Sequence, residues 1–222
     1  MKTARRSKGV SWVRIPPPPL RSRPRDAVTT TGFSRQTGRI VDPHAVVLVE
    51  GLSDKVALET LALRRGRDLA AEGVSVVAVG GAQAIGRFLH LYGPRGSNLG
   101  LAGLCDAQEE PGLRLALERA GFGRDLRRAD MEQLGFYVCE ADLEDELIRS
   151  LGAAAVEEIL AAHGKLGSFR TYQKQPAHRA RSTDEQLRGF LTNWKVQFAA
   201  PLVEALDLSS VPRPLDGVLT HV

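Results

Sequence analysis

The chain has 222 residues, 43% of them hydrophobic and 25% charged, with 30 Lys/Arg against 26 Asp/Glu for a formal net charge of +4. That apolar content supplies a core for one moderate domain without a disulfide or metal staple. No run approaches 18 uninterrupted apolar residues, which excludes a membrane-spanning helix. Cys105 and Cys139 sit singly in apolar runs, and the five histidines show no metal-ligand spacing. A disulfide scaffold and a zinc site are therefore not expected, and a reducing cytoplasm suits the chain.

The charge is unevenly divided. Residues 1–41 carry 10 basic side chains and one acid, Asp26, whereas the remaining residues carry 20 basic and 25 acidic ones. The basic pI belongs to the tail, so it does not by itself argue for nucleic-acid binding by the folded part. The tail has no apolar periodicity and contains Pro16–Pro19, which predicts an extended, unpacked segment. Its readings are a basic arm for phosphates, a transit-like segment, or an extension from an upstream start codon.

From His44 the pattern changes. Ala45–Val49 reads as a buried parallel strand ending in Glu50-Gly51, and Ser53 and Asp54 are placed to cap the helix that follows. Val74–Val79 is a second strand, stopped by Gly80-Gly81, a tight turn or a place where a phosphate approaches the backbone. Ala84–Leu91 reads as a helix. Leu99–Cys105 is a third strand ending in Asp106, and Leu113–Ala120 a further helix. Phe136–Cys139 is a fourth strand ending in Glu140, followed by helices over Leu143–Leu151 and Ala153–Ala162. The alternation predicts an α/β fold, a doubly wound parallel sheet of about four strands flanked by helices. Helical signal continues over Thr183–Leu191, Val196–Leu206 and Leu215–Leu219. The expected organisation is a tail at 1–41, the α/β domain at 42–152 and a small helical C-terminal extension at 153–222 without chemistry of its own.

Three of the four predicted strands end in an acid: Glu50, Asp106 and Glu140. The carboxyl edge of an open α/β sheet is where ligands bind. Carboxylates gathered there repel one another unless a cation relieves them, and oxygen-rich clusters suit Mg²⁺ or Mn²⁺. Asp54, Glu109, Asp142 and Glu144 lie nearby in the sequence, although acids at helix starts also complement the helix dipole without any function.

The run Val46–Glu50 with Gly51-Leu52-Ser53-Asp54, then Leu104-Cys105-Asp106, then Asp142-Leu143-Glu144, resembles the TOPRIM (topoisomerase–primase) domain, most closely that of the OLD (overcoming lysogenization defect) nucleases. The resemblance covers roughly Ala45 to Leu151. It implies a Rossmann-like TOPRIM fold and metal-dependent phosphodiester chemistry on nucleic acid, DNA rather than RNA. Glu50 would serve as metal ligand or general acid/base, and Asp54, Asp106, Asp142 and Glu144 would join it around two Mg²⁺ or Mn²⁺ ions. Departures accompany it. Gln108 stands where the second acid of an Asp-x-Asp motif belongs, so either Glu109 substitutes from a shifted position or one metal site is weak. No GxxxxGK[ST] motif is present, so an ATPase is expected in trans, and a homodimer is a further expectation. The cation near a scissile phosphate has no mapped motif; Lys174, Arg179 and Arg181 are candidates. The competing expectation is a non-catalytic module with a degenerate metal site; a generic phosphate-binding α/β domain is a more distant one.

Overall fold

The computed structural model describes residues 43–81 and 84–222; the tail reading for residues 1–41 and the turn residues Ala82 and Gln83 lie outside the described residues. Four strands, β1 (Ala45–Val49), β2 (Val74–Ala78), β3 (Gly100–Cys105) and β4 (Phe136–Val138), form one all-parallel sheet in the order β2-β1-β3-β4. Strand β1 is buried along its whole length. Its side chains alternate between two cores: Ala45, Val47 and Val49 face one, Val46 and Leu48 the other. A central parallel strand covered on both faces needs such an uninterrupted apolar run.

The strand order reverses at β1, with β2 on one side of it and β3 and β4 on the other. Helix α1 (Leu52–Arg64) carries the chain to β2 over one face, and α2 (Ile85–Tyr92), α3 (Glu110–Ala120) and α4 (Arg128–Gln133) cover the other. Right-handed crossovers in opposite directions require this split, and it opens a crevice between the carboxyl ends of β1 and β3. Helix α1 begins at Gly51, whose N–H donates to Asp54 Oδ2 at 2.9 Å, and it buries Ala57, Leu58, Leu61 and Ala62. Asp54 is thus the capping acid; Ser53 lies inside the first turn, buried, and does not cap.

The remaining helices are α5 (Leu143–Leu151), α6 (Ala153–Ala162), α7 (Leu166–Gln173), α8 (Thr183–Leu191), α9 (Lys195–Ala205) and α10 (Arg213–His221). Helices α4 and α7 were not legible in the sequence pattern: α4 buries only Met131 and α7 only Phe169, so neither has an apolar stripe. The C-terminal helices are built into the sheet's own core, where Phe198, Leu202, Val203, Leu215 and Val218 pack with β1 and α1. Described residues on both sides of position 152 belong to one compact unit. No helix among them is long and apolar enough to cross a membrane.

Three arginines at the end of α1 fix this docking. Arg64 Nη1 donates to the carbonyls of Val203 and Leu206 at 2.8 Å each, capping the carboxyl end of α9. Arg65 pairs with Asp216 of α10 at 2.6 Å, and Arg67 donates to the carbonyls of Leu219 and Val222. Cations at a helix carboxyl terminus satisfy its orphan carbonyls and its dipole together. Replacing Arg64 with Ala is expected to lower unfolding stability by about 2 kcal/mol, since two charge-assisted hydrogen bonds are lost. Urea denaturation followed by circular dichroism measures this.

Candidate metal centre

The crevice between β1 and β3 is lined by acids. Glu50 and Asp106 each follow the last residue of their strand, one on either side of the reversal. Burial in the crevice pushes the Glu50 carboxyl above the ordinary range, and the charges of Glu109 and Asp54 push it further. Its Oε1 is buried with no hydrogen-bond partner among the described residues. Asp106 is raised to about 7, by burial first and then by Glu50, Asp142 and Asp54. Asp54 is raised by burial too, opposed by the Gly51 N–H and the Lys195 charge. Five carboxylates, those of Glu50, Asp54, Asp106, Glu109 and Asp142, thus feel one another.

Glu109 reaches this group through a short 3₁₀ turn, Ala107–Glu109, that follows β3 directly. Its charge is the strongest acting on Glu50, whereas Gln108 is exposed. Asp142 caps α5: its Oδ1 accepts the Asp145 N–H at 2.9 Å. Its Oδ2 accepts from Arg188 Nε at 2.8 Å. Glu144, in the first turn of the same helix, is 4% exposed and accepts from Lys195 Nζ at 2.6 Å.

Arg188 and Lys195, which pair with these acids, are the candidate residues that the sequence pattern did not reveal. Both come from the C-terminal helices, α8 and the first position of α9. Burial draws the Lys195 ammonium down, but its hydrogen bond to Glu144 and the charges of Glu144, Asp142 and Asp106 outweigh this and raise it. Because Arg64 pins the far end of α9 to the far end of α1, the two helices lie side by side in the same direction. Their amino termini meet at the acids. No local spacing signals this, since Lys195 is 145 residues from Glu50 in the chain.

The structure does not bring every predicted residue to this place. The register Cys105↔Val138 sets Cys139 beside Asp106 and carries Glu140 one step past it at the sheet edge. There the Glu140 side chain is 70% exposed, pairs with Arg149 at 3.0 Å, and lines a different cleft with Tyr137, Glu146 and Arg213. The Gly80-Gly81 turn adopts φ of 81° and 112°, which only glycine takes without strain. Its two N–H groups donate to the Glu50 carbonyl at 3.1 and 3.3 Å, so they hold the Glu50 backbone instead of facing a phosphate. Lys174 and Arg179 are exposed near the end of α7. Arg181 lines a cleft of about 320 Å³ with Asp142, Glu185 and Arg188.

Among the described residues no group of three or more His, Cys, Asp or Glu side chains stands close enough, as placed, to hold a metal ion. The donor set nevertheless fits a hard divalent cation. All donors are carboxylate oxygens, one of them is buried without a partner, and burial together with the neighbouring acids raises the Asp106 carboxyl to about 7.

Comparison with known proteins bears on the fold. Residues 44–103 match the family described as overcoming lysogenization defect protein-like, TOPRIM domain. The C-terminal region of the Xanthomonas campestris pv. campestris OLD protein superimposes with a TM-score of 0.64 at 24% identity, covering 81% of this chain and 92% of that one. The C-terminal region of the Burkholderia pseudomallei OLD protein gives a TM-score of 0.64 at 20% identity, covering 81% and 96%. No curated protein sequence matches the chain. The four-stranded parallel sheet flanked by helices therefore matches the fold of OLD C-terminal regions, and β1, β2 and the start of β3 carry the OLD-like TOPRIM pattern.

The raised Asp106 carboxyl sets a pH dependence. A carboxyl whose folded pKa lies above its ordinary 3.8 binds more protons folded than unfolded, so without divalent ions stability falls as pH rises from about 4 to about 7. Asp106→Asn is expected to flatten that decline and to raise the melting temperature at pH 8 in chelator. Thermal denaturation from pH 4 to 8 in EDTA measures both.

Proposed function

We propose that the protein is a divalent-metal-dependent enzyme that cuts nucleic-acid phosphodiester bonds, with DNA as substrate and Mg²⁺ or Mn²⁺ as cofactor. The observation that carries this reading is the buried, unpartnered Glu50 oxygen beside the elevated Asp106 at the strand reversal. TOPRIM domains in general bind divalent metal, and the solved structures of like fold are regions of OLD proteins. Both points support the reading.

Glu50 and Asp106 would hold the ion, with Glu109 and Asp54 adding negative charge around it. A bound divalent ion supplies two things: a more acidic water and charge stabilisation for a phosphoryl oxygen. The chain's own groups supply the rest. Lys195, on the first residue of α9, offers its ammonium and the positive end of that helix to a phosphate brought against the acids. Arg188 and Arg181 line the adjoining cleft with their guanidinium groups, suited to the next phosphates of a strand. Gly80 and Gly81 hold the Glu50 carbonyl so that its side chain leaves β1 at a constant place.

A second reading, a nucleic-acid- or partner-binding module with a degenerate metal site, is favoured by Gln108 and by the lack of such a close group among the described residues. One assay separates the two. Supercoiled plasmid incubated with the full chain and Mg²⁺ or Mn²⁺ is expected to be nicked, and EDTA to stop it. Glu50→Gln and Asp106→Asn should each lower the rate by about 10²-fold or more, and Lys195→Met by about 10²-fold. Retained DNA binding with no metal-dependent nicking in the wild-type protein would establish the module instead.

A further inference from the structure

The hydrogen-bond pattern of the acids reaches further, on the premise that the metal reading above is right. Two of the six acids around the crevice are already neutralised by the protein. Asp142 has both oxygens engaged, Oδ1 by the Asp145 N–H and Oδ2 by Arg188 Nε. Glu144 is almost fully buried and accepts from Lys195 Nζ. Pulling either carboxylate onto an ion would break a helix cap or strand a half-buried cation without its partner, which is strongly unfavourable. Asp54 is partly committed in the same way, since its Oδ2 caps α1 through Gly51. Glu50 is different, since its Oε1 is buried with no partner, and Asp106 stands beside it at the end of the neighbouring strand β3.

We infer that the site takes one divalent ion, held by Glu50 and Asp106, and that Lys195 and Arg188 stand where a second ion would otherwise be needed. Their two positive charges equal those of one Mg²⁺ and sit on the two carboxylates, Asp142 and Glu144, farthest along the acid series. A second ion at those residues would meet an ammonium and a guanidinium within hydrogen-bond distance of its ligands. Its own ligand supply is also short, because Gln108 is neutral and exposed. The reading replaces the two ions that the family resemblance implies with one ion and two fixed organic cations. Unlike a second metal, these persist at any free metal concentration.

Titration of the full chain with Mn²⁺ alone, by calorimetry and by electron paramagnetic resonance, tests this without reference to activity. The expected result is one equivalent bound with a mononuclear manganese spectrum, lost in Asp106→Asn and kept in Asp142→Asn. The double variant Arg188→Gln/Lys195→Met should admit a second equivalent. Two equivalents in the wild-type protein with a spin-coupled spectrum, the second lost in Asp142→Asn or Glu144→Gln, would overturn the inference and leave the metal-dependent function standing. No Mn²⁺ uptake at all would overturn both. The wild-type stoichiometry decides the matter even where a variant fails to fold, which circular dichroism reveals.

Discussion

Mutual repulsion among carboxylates in a partly buried crevice is the constraint on which the rest of this structure turns. A crevice between parallel strands is a poor place for negative charge: it is shielded from water, and each acid raises the proton affinity of the next. Stability alone would favour neutral residues at these strand ends. The acids are tolerated because the fold surrounds them with opposing features. These are the start of α1, the start of α9, and two cations delivered from the C-terminal helices. What remains unbalanced, at Glu50 and Asp106, is the excess negative charge on which the proposed metal-dependent function rests.

The C-terminal helices are consequently part of the site and of the core at once. Read along the chain they look like an appendage, with proline-punctuated helices of modest amphipathicity. In the fold they bury Phe198, Leu202 and Val203 against α1. Arg64 and Arg67 grip the carboxyl ends of α9 and α10, and Arg65 pairs with Asp216 in the first turn of α10, some distance from the acids. The same packing that stabilises the sheet sets the height at which Lys195 meets Glu144. Even Pro201, inside α9, does not interrupt this arrangement.

Much of the sheet was legible because its signals are local. Strand β1 announces itself through five consecutive apolar residues, and β3 through Leu101 to Cys105; both run into an acid that the strand end must display. The ordered acids Glu50, Asp54 and Asp106 could be read for the same reason. Glu140 misled because a strand end seen in one dimension says nothing about register. One step along β4 moves an acid from the crevice to an exposed edge beside Arg149. Gly80 and Gly81 were legible as a turn, but the acceptor of their N–H groups, the Glu50 carbonyl, lies across the sheet in β1's continuation.

By itself, then, the sequence determined the strand count, the parallel arrangement and the presence of excess acid at the strand ends, since each depends on side-chain periodicity over a few residues. Tertiary structure alone decided which acids share a space and which cations answer them. Lys195 and Arg188 are brought by helix packing onto acids 51 and 46 residues away in the chain. Coulombic interaction depends on distance through space, and no spacing along the backbone records it.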